Sequence, residues 1–172
     1  VVTGSAPLVV RYETPKPDQC DDTAPTGTYR GPVSATVDTK LAGAPTQVGG
    51  AGGHSDVSGQ IELTYKGNQV SGTVKLGGGG ESHVGPPSDK TAGVIEGTVS
   101  GSATDPIVTG RAAGTGGNSP FRLPLGVTSR SCASVSGDIV AFVRSIYAFY
   151  GAGPLQVQVS GKGGWTIPRA TK

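Results

Sequence analysis

Two cysteines, two histidines and a cluster of aromatic side chains are the residues of this chain with chemistry to offer. His54 sits in Gly53-His54-Ser55-Asp56 and His83 in Glu81-Ser82-His83, each two residues from a carboxylate and close to a glycine run. Two imidazoles and two carboxylates are an acceptable ligand set for a transition metal. The candidate set is His54, Asp56, Glu81 and His83, provided both stretches leave the same end of one hairpin. Entropy opposes it: runs 49–53 and 77–80 are almost all glycine, and ordering them costs about 1–2 kcal/mol per residue. Solvated loop histidines are the competing reading.

Nucleophilic hydrolysis needs a serine or cysteine held by a histidine and an orienting acid. No Gly-x-Ser-x-Gly or His-Glu-x-x-His occurs, and Gly77–Gly80 lacks the Lys-Ser/Thr that a phosphate-cradling loop requires. No catalytic residue is therefore assigned and no cofactor is called for.

The cysteines offer redox chemistry or a bridge. Cys20 lies in Pro-Asp-Gln-Cys-Asp-Asp and Cys132 in Arg-Ser-Cys-Ala-Ser, both polar and loop-like, unlike the surroundings of a buried free thiol. There is no Cys-x-x-Cys, and two carboxylates beside Cys20 disfavour a reactive thiolate. A structural disulfide Cys20–Cys132 is expected, which places the chain in an oxidising, extracytoplasmic compartment. It would close a loop of 112 residues, restraining the unfolded chain by up to roughly 4–5 kcal/mol on the chain-entropy argument.

The elements that must hold these residues are read from composition and pattern. Thirty glycines and 13 prolines in 172 residues bring disorder into question. A net charge of only +2, and Val, Ile, Leu and Tyr alternating with Ser and Thr, favour a folded β-rich chain instead. The local basic excess is limited to Lys162, Arg169 and Lys172, too sparse for nucleic-acid binding, which needs a dense cationic patch. No apolar run approaches the ~18–20 residues of a membrane span. Beginning at Val1 without methionine, the chain reads as a mature form or excised ectodomain, with any signal or anchor upstream.

Residues 1–26, with Pro7, Pro15, Pro17 and Pro25, read as an irregular arm or tether carrying at most a peripheral strand at Leu8-Val9-Val10. Residues 27–172 read as a single β-rich domain. Within it Val-Ser/Thr-Gly recurs at 57–59, 70–72, 99–101, 108–110, 135–137 and 159–161. This is one strand grammar reused: a β-branched residue facing in, a small polar one facing out, then glycine where the sheet bends or a neighbour comes close.

The clearest element is a hairpin over Val57–Leu76 with Gly67-Asn68 as its turn. That register sets Tyr65 opposite Val70, Leu63 opposite Gly72, Ile61 opposite Val74 and Gly59 opposite Leu76, all on one apolar face. A second hairpin joins Gly93–Ser102 to Ile107–Ala113 through Ala103-Thr104-Asp105-Pro106. Further strands are expected at Gly27–Val37, Phe121–Leu125, Leu155–Ser160 and Trp165–Pro168. The fold class is mainly β, an antiparallel barrel or sandwich.

Ile139–Tyr150 departs from that grammar. Positions 139, 142, 143, 146, 149 and 150 make one helical stripe, with Asp138 or Ser136 as cap and Gly151 and Pro154 as stop. It reads as the one helix, although its residues are β-branched and aromatic. Phe142, Tyr147, Phe149 and Tyr150 concentrate there; they supply a core plug, or a partly exposed patch in which Tyr147, Tyr150 and Trp165 meet a partner.

The functional expectation is a non-catalytic extracytoplasmic binding or structural module, tethered or secreted, with a protein partner or surface assembly. The rivals are a β-barrel carrier of a small apolar ligand and a metal-dependent enzyme built on the His54 and His83 loops.

Overall fold

The computed structural model describes residues 20–22, 24–42, 52–82, 90–114, 117–150 and 156–171. The fold is mainly β: a curled antiparallel sheet forming a half-barrel, a second small sheet and one helix. The strands are β1 (Gly27–Ala42), β2 (Gly52–Lys66), β3 (Gln69–Ser82), β4 (Lys90–Ser102), β5 (Asp105–Gly114), β6 (Gly117–Pro124), β7 (Val127–Arg130) and β8 (Ser134–Asp138). Helix α1 (Ile139–Tyr150), β9 (Gln156–Lys162) and β10 (Gly164–Pro168) complete the chain. The large sheet runs β6-β5-β4-β3-β2-β1-β9 and the small one β10-β8-β7.

Two strands pass from one sheet to the other and close the ring. β9 pairs with β1 from Ala42↔Gln156 to Thr36↔Lys162. The bridge Tyr29↔Arg169 lies seven residues further along both strands, in the same register. In between, β10 leaves β1 to pair with β8, from Gly164↔Asp138 to Pro168↔Ser134. β6 and β7 do the same across Leu125-Gly126: Leu125 N donates to Pro106 O of β5 at 2.9 Å, while Gly126 O accepts from Asp138 N at 3.4 Å. The chain is therefore an up-and-down ring of eight segments, the seventh being β8 followed by α1.

The expected hairpin forms in the stated register, Tyr65↔Val70 through Gly59↔Leu76. Every copy of the Val-Ser/Thr-Gly grammar lies in a strand, and its valine is buried: Val57, Val70, Val99, Val108, Val135 and Val159. Close approach explains the glycines at 59, 72, 110, 137 and 161, whereas Gly101 adopts a φ of +116° that favours glycine. A Cβ at Gly59 would stand 1.9 Å from Lys75 O on the neighbouring strand, a spacing that only a curled sheet with no side chain there allows.

Two expectations are corrected. The second hairpin turns on Ala103-Thr104 alone, because Asp105 pairs with Ser102 and Pro106 with Gly101; proline is tolerated at the start of a strand. Gly52-Gly53 and Gly77–Gly80 belong to β2 and β3, where backbone pairing continues to Gly53↔Ser82. Ladder hydrogen bonds need no side chain, so a glycine run that looks like a loop extends a strand. β7 was not foreseen from sequence, and β8 only through its Val-Ser-Gly signal. The strand at Leu8-Val9-Val10, most of the arm and the helix stop at Gly151 and Pro154 lie outside the described residues.

Helix α1 spans the expected residues, and Asp138 caps it by accepting from Ala141 N at 3.0 Å. Its residues favour a strand, and Ile139 N still continues the ladder to Gly163 O at 3.1 Å. Burial decides otherwise. β8 points Val135 inward, so a strand continued through 146 would turn Ala141, Val143 and Ser145 inward and Val140, Phe142 and Ile146 outward. The helix buries Ile139, Val140, Phe142, Val143 and Ile146 together.

α1 thus fills the slot between the two edges of the large sheet. Phe142 meets Phe121 of β6 edge-on at 6.1 Å between ring centroids, and Arg144 Nε donates to Val159 O of β9 at 3.2 Å. Pro120 and Pro124 in β6 add edge residues that cannot donate to another strand. No helix among the described residues is long and apolar enough to cross a membrane.

Candidate functional sites

Of the candidate metal ligands, His54 and Asp56 lie on the outer face of the large sheet. His54 and Asp56 are on β2, two residues apart and on one face. Asp38 of β1 and Glu81 of β3 are the direct cross-strand neighbours of His54 on either side. His54 Nδ1 lies 2.7 Å from Asp38 Oδ1, and Nε2 lies 4.0 Å from Asp56 Oδ1, which also accepts from Thr36 Oγ1 at 3.3 Å. The three side chains are about half exposed or more, so solvent screens the pairing. His83 lies outside the described residues. Among the described residues no group of three or more His, Cys, Asp or Glu side chains is placed to hold a metal ion. Asp38 escaped the sequence reading; the β1–β2 register, once known, puts it beside His54.

The aromatic residues divide. Tyr147 and Phe149, near the end of α1, are 41% and 53% exposed. Tyr150 is the last helical residue. Trp165 is no part of an exposed patch: it is 2% exposed, on the inner face of β10. Its indole covers Gly137, its partner on β8. Among the described residues its Nε1 finds no hydrogen-bond partner, and neither does the hydroxyl of Tyr65 on β2.

The third cluster closes one end of the ring. Cys20 and Cys132 are joined, fastening Cys20 to the turn between β7 and β8. Asp22 Oδ1 accepts from Cys132 N at 2.6 Å. The same turn seats Tyr29, whose hydroxyl donates to Ser131 O at 3.0 Å, and Tyr29 stands perpendicular to Tyr65 at 5.7 Å. Arg130 Nη1 donates to Ala103 O at 2.8 Å, tying the β4–β5 turn to this base. Burial pushes the Tyr65 phenol up to about 12, with the nearby Arg130 charge opposing. Burial also raises Tyr29, with Arg169 lowering it and Asp22 raising it. The bridge ends at a turn, with the five residues of β8 between Cys132 and α1.

Comparison with known protein families, with curated proteins and with solved structures found no match.

Proposed function

We propose that this protein is a non-catalytic extracytoplasmic module that works by binding, as part of a cell-surface or envelope assembly. The Cys20–Cys132 bridge carries this reading, since a disulfide spanning 112 residues persists in oxidising compartments and is rare in reducing ones. The protein partner meets the end of α1, where Tyr147 and Phe149 are exposed on a helix whose other face is buried. Alkylation of thiols in intact cells before lysis, with fractionation, tests the compartment. Two free thiols in a cytoplasmic fraction would overturn it. A photo-crosslinker at position 147 tests the partner: a specific adduct, diminished by Phe149→Ser, is expected.

The carrier reading has one observation in its favour. Tyr65 and Trp165 each bury a donor with no acceptor among the described residues, and a guest bearing an acceptor oxygen would satisfy it. The chain has a single tryptophan, so its indole N–H gives one resonance. Titration with a medium-chain ketone should move that resonance and raise thermal stability if the protein is a carrier. No movement at millimolar ketone removes this reading.

A further inference from the structure

We infer that the protein partner docking at the end of α1, the site proposed above on which this rests, presents an acidic face that Arg122 and Arg144 grip and Tyr147 anchors. From Pro106 to Thr171 the basic residues are Arg111, Arg122, Arg130, Arg144, Lys162 and Arg169, and the one carboxylate is Asp138. That carboxylate is engaged as the cap of α1. Elsewhere on the large sheet the signs alternate: Arg30 faces Glu62 across β1 and β2, and Glu96 lies between Lys75 and Arg111. Lys162 stands opposite Thr36, two residues from Asp38 along β1. The sector without carboxylates therefore narrows to β6 and α1, bounded by Arg111 with Glu96 on one side and by Lys162 near Asp38 on the other.

β6 and α1 touch through Phe121 and Phe142. Arg122 follows the first ring and Arg144 comes two residues after the second, both exposed on these neighbouring elements. Tyr147 is three positions beyond Arg144, so the two share one side of the helix. Arg144 Nε donates to Val159 O at 3.2 Å, which steadies the guanidinium. Its two Nη groups, like the whole of the Arg122 head, have no ion-pair or hydrogen-bond partner among the described residues. Such groups offer forks of N–H donors that match the two oxygens of a carboxylate.

Composition selects the class of partner. Arginine and tyrosine are enriched at protein interfaces and at their energetic centres, where aspartate and glutamate are depleted. Anionic lipid is held by clusters of about 4–8 Lys or Arg, and nucleic acid by a dense basic stripe. Arg122 and Arg144 make neither. Beside an exposed aromatic ring they fit a protein face that carries Asp or Glu around an apolar centre.

The test is the fluorescence anisotropy of a labelled random copolymer of glutamate and tyrosine, with a lysine–tyrosine copolymer as control. The parent should bind the acidic copolymer alone, and more weakly as salt rises from about 50 to about 300 mM. Arg122→Glu and Arg144→Glu should each weaken binding by about tenfold or more. Lys75→Glu makes the same charge change where the signs alternate and should leave binding unchanged. Arg122 makes no side-chain bond among the described residues, so its variant keeps the test sound should Arg144→Glu unfold; urea midpoints check both. Equal losses in all three variants would reduce the effect to net charge and overturn the acidic partner. So would binding of phosphatidylcholine–phosphatidylglycerol vesicles with the same dependence on Arg122 and Arg144, since the face would then belong to a lipid surface. A crosslinked adduct at position 147 without copolymer binding overturns the acidic partner and leaves the docking site standing. No adduct at that position overturns both.

Discussion

The indole of Trp165 occupies the place a side chain at Gly137 would need. A Cβ built on Gly137 would lie 2.4 Å from both Cε2 and Cζ2 of the ring. The two residues are cross-strand partners in the small sheet, where β8 and β10 pair antiparallel. A large ring laid over a glycine lets the small sheet press close to the body and buries the tryptophan. The third residue of the Val135-Ser136-Gly137 grammar is therefore a receiving surface.

Gly137→Ala should consequently displace the indole. Overpacking of this kind costs about 1–3 kcal/mol, read as a lower urea midpoint, and Trp165 emission should change with it. A variant as stable as the parent, with unchanged emission, would show that the ring has room the geometry denies.

Asp138 ends β8 and begins α1, and its carboxylate is the cap of a helix whose sequence leans toward strand. Asp138→Ala should lose roughly 1 kcal/mol, and Asp138→Asn should recover most of it because the amide oxygen still accepts from Ala141 N. Equal losses in the two variants would assign the effect to charge instead of the cap.

Much of this architecture was legible in the residues. The 57–76 hairpin gave its register because Tyr65, Leu63 and Ile61 agree with Val70 and Val74 only in one alignment. The helix showed its limits because Asp138 and the stripe from Ile139 coincide. The glycine runs misled, since ladder pairing in β2 and β3 leaves no side-chain signature. The joining of the two sheets was illegible for a related reason: Leu125-Gly126 and Gly163 are single points where a strand changes neighbours. Site prediction suffered most. His54 was visible, but its partner Asp38 comes from another strand and only the register finds it. The grouping of Trp165 with exposed aromatics failed because flanking sequence does not tell which face of a strand is buried.

The tyrosine pair at the base separates a satisfied hydroxyl from an orphaned one. Tyr29 donates to Ser131 O, whereas the Tyr65 hydroxyl is buried without a partner among the described residues. Tyr29→Phe should destabilise by about 1 kcal/mol, while Tyr65→Phe should be neutral or stabilise by up to about 1 kcal/mol, since an unpaired buried hydroxyl is itself a cost. Chemical denaturation of the two variants side by side reads the difference. Equal destabilisation would mean that Tyr65 has a partner after all.

Alkaline stability follows from the same pair. An unfolded tyrosine ionises near about 10, and burial pushes Tyr65 in the folded protein up to about 12. Between those values the unfolded chain has lost its proton and the folded chain keeps it. Folded protein then binds more protons, so stability falls as pH rises through this window. Below the unfolded value both states are protonated and the contribution is fully present. Tyr29, raised in the same direction, adds to the fall. Removing the group removes its share, so Tyr65→Phe should lose less stability than the parent between about pH 8 and about pH 11. Urea midpoints at those two pH values measure it, and parallel losses in parent and variant would show that Tyr65 ionises as freely folded as unfolded.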